Sequence, residues 1–169
     1  MINKNIDVYT LIRPEIKKLK KIGIETANLD CRILLSKSQD KDKVVYNHEN
    51  IDISENEIKQ FQSLVEQRLR GKPVSRIINK RNFWKDEFKL NEDTLDPRAD
   101  SETLIEAVLE HYKNKLKSIK ILDLGSGSGC LGLSLLKEYE NSKVTFFDIS
   151  KKSLDLVKVN ALNFGVLER

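Results

Sequence analysis

The chain has 169 residues, 39% hydrophobic and 33% charged, with three prolines, a composition that fits one ordinary globular domain, or a small domain followed by part of a larger one, and excludes a fibrous or disordered chain. Its 30 basic and 26 acidic residues leave a formal charge of +4, too mild an excess to require a nucleic-acid partner. Cys31 and Cys130 lie far apart and outside CxxC spacing, which argues against both a disulfide framework and a zinc site, and no metal ligands are assigned.

The start, MINKNIDVYTLIRPEIKKLK, is charged throughout, and no later stretch is long enough to cross a bilayer. A cytoplasmic protein with no membrane partner is expected. Val8, Leu11, Ile12, Ile16 and Leu19 fall near helical spacing, then Leu29, Ile33 and Leu34, then Ile58, Phe61, Val65 and Leu69. This predicts a small all-helical N-terminal domain over residues 1–72, whose helices bury one another's stripes. Ser54 and Glu57 have capping-box spacing before the third stripe, and Gly71 with Pro73 ends it.

Over residues 73–96 the aromatic side chains of Phe83, Trp84 and Phe88, with Leu90, alternate with charged ones. The pattern predicts a β-hairpin linker that also packs, with its turn around Lys85 and Asp86. Residues 97–169 open with a helix, Ser101 at the cap position and a stripe of Leu104, Ile105, Val108, Leu109 and Tyr112. A buried parallel strand over 119–124, a glycine loop over 125–129, a helix over 131–139, a second strand over 144–148 and a second helix over 153–164 follow. This is the βαβα beginning of an α/β domain, expected to be incomplete because an open parallel sheet has about five strands.

The segment Asp123-Leu-Gly-Ser-Gly-Ser-Gly129 joins a strand to a helix, where a β-carbon would obstruct both the turn and a ligand. Gly127, Gly129 and Gly132 also satisfy GxGxxG, so a dinucleotide must be weighed. The apolar run ends at Leu124, which makes Gly125, Gly127 and Gly129 the loop and puts Gly132 a turn inside the helix. A carboxylate at Asp123 would repel a phosphate and attract an ammonium group, such as that of S-adenosylmethionine. Asp148, at the end of the second strand, can accept from both ribose hydroxyls of either cofactor. The bland alternative is that these residues only make turns and caps.

LDLGSGSGCLGLSLL and VTFFDISKKSLDLVKVNALNFGV closely resemble the cofactor-binding half of the release factor glutamine methyltransferases. GKPVSRIINKRNFWKDEFKLNEDTL and DPRADSETLIE resemble the segment that precedes it in that family, with Ala99 for a proline, Ser101 for a threonine and Asn79 where glycine is common. The resemblance implies a helical recognition domain followed by the start of a Rossmann-like class I methyltransferase domain, with S-adenosylmethionine as cofactor. It implies that Gly125, Ser126, Gly127, Ser128 and Gly129 wrap the methionine part, that Asp123 lies near its ammonium and that Asp148 holds the ribose. Arg98 and Glu102 would order the entry segment; the plain alternative for them is an exposed ion pair.

The implied partner is a peptide chain release factor, methylated by a monomer at the glutamine of its GGQ motif during the modification that serves translation termination, with nucleic acid not required. The family's Asn-Pro-Pro-Tyr motif, expected after a later strand, lies outside these residues, so no catalytic residue is assigned and negligible turnover is expected of residues 1–169 alone. Another acceptor, a ribosomal-protein glutamine or a nucleic-acid amino group, and a non-catalytic binding fragment stay open as alternatives.

Among the remaining candidates, Cys130 has no histidine nearby in sequence and reads as a packed side chain, while His48 and His111 read as isolated surface residues. Phe83 and Trp84 read as core rather than as a stacking platform. Arg68, Arg70, Lys72, Arg76, Lys80 and Arg81 read as a solvated face, or more sharply as a contact for an acidic partner or RNA.

Overall fold

The computed structural model describes residues 4–169, and the chain divides into two compact units, one ending at Ile78 and the other Asn79–Arg169. In the first, helix α1 (Val8–Lys21) packs on α2 (Ala27–Ser38), and both meet α3 (Glu55–Leu69), with a short α4 (Val74–Ile78) against α2 and α3. Asp7 caps α1 by accepting the Thr10 N–H at 2.8 Å. The expected capping box opens α3, Ser54 N–H reaching Glu57 Oε2 at 2.7 Å and Glu57 N–H reaching Ser54 Oγ at 3.3 Å. Gly71, at φ +91°, turns the chain after α3 as glycine readily does.

The unit is not helical throughout. β1 (Lys4–Asp7) pairs antiparallel with β2 (Asn50–Ile53), Ile6 facing Ile51. Ile51 and Ile53 alternate with polar residues over a span too short to stand out against the helical stripes, yet both are buried in the core with Val8, Ile12, Leu19, Leu34, Phe61 and Val65. The inner face of α2 also differs from the expected stripe: Leu29 is exposed, while Ala27, Asp30, Cys31, Leu34 and Leu35 are buried. Asp30 can face inward because Arg68 of α3 pairs with it at 2.8 Å.

The second unit opens with the hairpin β3 (Lys80–Phe83) and β4 (Asp86–Lys89), closed by Leu90 N–H to Asn79 C=O at 2.9 Å. Its turn residues are Trp84 and Lys85, one position earlier than expected, with Trp84 at φ +56°. Phe83 and Phe88 are buried edge to face, and Phe88 meets Phe164 at 4.9 Å. A 3-10 turn (Ala99–Ser101) leads into α5 (Glu102–His111). Ser101 holds the N-cap position without a side-chain bond; the nearby Thr103 hydroxyl donates to Asp100 C=O at 2.7 Å.

β5 (Lys120–Leu124) and β6 (Lys143–Phe147) pair in parallel, Leu124 opposite Phe147, joined through α6 (Cys130–Glu138), and α7 (Lys151–Asn163) follows. This is the expected βαβα order. Helix α6 packs on both strands, and α7 packs on β6 and β4. The strands are buried on one face only: Ile121, Val144 and Phe146 turn to the core, whereas Leu122 and Phe147 are 60% and 63% exposed. The expectation of a buried first strand is corrected accordingly, since no described element covers the other face. Among the described residues, no helix is long and apolar enough to cross a membrane.

Candidate functional site

The chain leaves β5 through Gly125, Gly127 and Gly129, at φ +72°, +53° and +78°. These are left-handed conformations that a side chain would strain, which is why glycine stands at all three. A β-carbon on Gly125 or Gly127 would meet nothing within 4 Å, so open space lies over both residues. At Gly129 it would come within 3.1 Å of Leu133 and Val157, and the restriction there is packing as well as backbone. Gly125 and Ser126 both donate to Phe147 C=O, at 2.8 and 3.1 Å, and Gly129 N–H closes on Ser126 C=O at 2.7 Å. Ser126 and Ser128 are buried, and among the described residues the Ser126 hydroxyl has no hydrogen-bond partner.

The acids flank this loop. Asp148 accepts Gly127 N–H on Oδ2 at 2.8 Å and Ser150 N–H on Oδ1 at 2.9 Å. Each of its oxygens keeps a second lone pair for an incoming donor. Asp123 accepts Gly132 N–H at 3.0 Å. Burial pushes its carboxyl up, that hydrogen bond pulls it down, and the charge of Asp148 pushes it up again. The site is therefore electronegative and would be relieved by a cation.

Gly132 lies inside α6, where a β-carbon would fall 2.5 Å from the Phe146 ring and 2.9 Å from Asp123 Oδ2. Its role is close packing of helix on strand. The amides of Gly125, Ser126, Gly127 and Gly129 all have partners within the protein. The loop thus differs from the free-amide nests that hold pyrophosphate.

Arg98 and Glu102 are not hydrogen-bonded to this loop among the described residues. Arg98 is exposed, and Glu102 Oε1 accepts the backbone N–H of Trp84 at 2.8 Å. The Trp84 indole donates to Glu138 Oε1 at 2.9 Å, and Glu138 also accepts from Lys85 and Lys115. Sequence reasoning missed Glu138 and Ser150; a carboxylate on the inner face of α6 was the available signal for the first. Cys130 is half-buried with its thiol pushed up by burial, unfavourable for a nucleophile. His48 and His111 are exposed, and among the described residues no group of His, Cys, Asp and Glu is arranged for a metal. The basic cluster divides between the units; Arg68, Arg70 and Lys80 pair with Asp30, Glu66 and Glu87.

A parallel βαβα unit whose glycine loop lies between acid-tipped strands is consistent with the start of a Rossmann-like class I methyltransferase domain, and comparison with family models agrees. Residues 11–78 match the PrmC N-terminal domain and residues 93–166 the methyltransferase small domain. The chain is thus similar to proteins named release factor glutamine methyltransferase and to bifunctional methyltransferases. It is 33% identical over 157 residues to the release factor glutamine methyltransferase of Leptospira interrogans, covering 92% of this chain and 54% of that protein. With the Francisella tularensis enzyme of the same name it shares 34% identity over 159 residues, 93% of this chain and 55% of the relative. A bifunctional methyltransferase of Rickettsia prowazekii is 36% identical over 170 residues, 90% of this chain and 33% of its own length. The chain thus spans about half, or about a third, of the curated relatives it matches.

Proposed function

We propose that the protein to which this chain belongs binds S-adenosylmethionine at the loop over residues 125–129 and methylates the side-chain amide of the GGQ glutamine of a peptide chain release factor. The observation that carries the reading is the open space above Gly125 and Gly127 in a loop held by two carboxylates at its ends, one of them raised by burial and by its neighbour's charge. When bound, S-adenosylmethionine supplies a methyl group on a sulfonium, electrophilic enough for a weakly nucleophilic amide nitrogen. Asp123 attracts the ammonium of the methionine part, as opposite charge in a partly desolvated site favours. Asp148 accepts the ribose hydroxyls through its remaining lone pairs while Gly127 and Ser150 hold it in place. The glycines let the backbone approach the ligand, and the buried Ser126 hydroxyl is available to it as a donor or acceptor.

In this reading residues 1–72 serve recognition of the release factor, 73–96 form the hairpin linker, and 97–169 hold the cofactor. Glu102 ties the entry segment to the hairpin by accepting the Trp84 N–H, and Arg98 precedes it in the same segment. The protein works as a cytoplasmic monomer on a protein substrate, with no membrane or nucleic acid required. Calorimetric titration with S-adenosylmethionine is the direct test: one saturable site is expected, weakened about tenfold or more by Asp148→Ala, a loss of about 1.4 kcal/mol. Absence of binding, or preferential binding of a nicotinamide dinucleotide, would overturn the cofactor assignment. The acceptor is read separately, by methyl transfer from the whole protein to a release factor with and without its GGQ glutamine.

A further inference from the structure

Asn160 on α7 is completely buried, and its carboxamide is satisfied on both ends. Oδ1 accepts Lys89 N–H at 2.9 Å, while Nδ2 donates to Lys89 C=O at 3.1 Å and to Ser128 C=O at 3.0 Å. Because Leu90 N–H already pairs with Asn79 C=O, the alternation of an antiparallel ladder turns the polar groups of Lys89 away from β3. The Asn160 amide meets them as the peptide group of another strand would. Its remaining donor lands on the carbonyl between Ser128 and Gly129, inside the glycine loop. One acceptor and two donors in a fixed plane are needed, which Asp, Ser and Leu cannot supply.

We propose that Asn160 is a positioning residue for the cofactor loop: it orients the Ser128–Gly129 peptide by tying it to β4. Gly125 and Ser126 are anchored through Phe147, and Gly127 through Asp148; Ser128 is anchored through α7. The consequence for ligand binding rests on the cofactor reading above, whereas the effect on loop order does not. Removing the Nδ2 donors would take this partner from the buried Ser128 carbonyl and the part-buried Lys89 carbonyl and release the loop on that side.

The test compares Asn160→Asp, which keeps the volume but loses both donors, with Asn160→Ser and with Val166→Ala, a packing loss in the same core. Amide hydrogen exchange at Gly127 and Gly129 is measured without ligand, and S-adenosylmethionine affinity by calorimetry. Both Asn160 variants are expected to speed loop exchange at least tenfold and weaken binding about tenfold, while Val166→Ala does neither at an equal or larger drop in thermal midpoint. Wild-type loop exchange in the Asn160 variants, or equal acceleration in Val166→Ala, overturns the proposal. If neither Asn160 variant folds, exchange of the wild-type chain in mild denaturant decides: Lys89 and Gly129 amides are expected to share one opening, and separate openings overturn it. A wild-type chain that binds no S-adenosylmethionine, with the loop still loosened by Asn160→Asp, overturns the cofactor reading and leaves the positioning role standing.

Discussion

Asp123 sits where burial works against its charge, and Asp148 adds to the push while the Gly132 amide resists it. For an acid whose folded-state pKa is raised, the unfolded chain releases its proton first, so stability falls as pH rises between the two values. The ionised carboxylate therefore opposes folding at neutral pH. Asp123→Asn retains an acceptor for Gly132 N–H and removes the charge. It is expected to raise the thermal midpoint by a few degrees at pH 7, roughly what about 0.5 kcal/mol does in a domain of this size, while weakening S-adenosylmethionine about tenfold. Scanning calorimetry and titration on the same variant check both; a lowered midpoint would show that the charge supports the fold. Both aspartates could be read from the sequence as acids ending strands. The amides that hold them could not, because Gly127 reaches Asp148 across 21 positions and only the parallel pairing brings them together.

The hairpin shows the same division among the elements. Its aromatics and charged residues marked it as a hairpin, but the turn falls on Trp84, whose φ of +56° a bulky residue rarely adopts. Two carboxylates hold it there: Glu102 on the backbone N–H and Glu138 on the indole. Local turn propensity disfavours tryptophan at such a position, so the register came from tertiary contacts.

Burial alone would raise the Glu138 carboxyl; hydrogen bonds from Lys115, Lys85 and Trp84 outweigh it and hold it at about 2, against an ordinary 4.5. A depressed acid contributes stability that is fully present above its unfolded value and is lost as pH falls towards the folded one, here between about 4.5 and about 2. The side chains of Lys85 and Lys115 are more than half exposed, so solvent screens part of the interaction. Glu138→Gln is expected to cost on the order of 1–3 kcal/mol at neutral pH and to flatten the acid limb of the stability profile in that window. Denaturant titrations at a series of pH values measure both effects, and an unchanged acid limb would remove Glu138 from the account.

For the molecule as a whole, the least compensated feature is the outer face of the β5–β6 sheet. Leu122, Leu124 and Phe147 lie exposed on it, with Ile149 just beyond. Contiguous apolar surface of this kind is sticky. The chain of 169 residues is expected to bind the dye ANS in its folded state, and Leu122→Lys with Phe147→Lys should reduce the fluorescence at least about twofold without lowering the thermal midpoint. Undiminished fluorescence would place the dye elsewhere.

By itself, the sequence determined what depends on near neighbours: the helical stripes of α1 and α3, the Ser54 capping box, the glycines that permit positive φ, and the strand, loop, helix, strand order around them. The tertiary structure alone decided which groups those elements bring together. It set the burial of Asp30 against Arg68, the Trp84 turn between Glu102 and Glu138, and the Asn160 amide, which joins Lys89 71 positions away to Ser128. Periodicity and propensity act over one or two turns of chain, whereas a buried polar group takes its partner from whatever packing delivers.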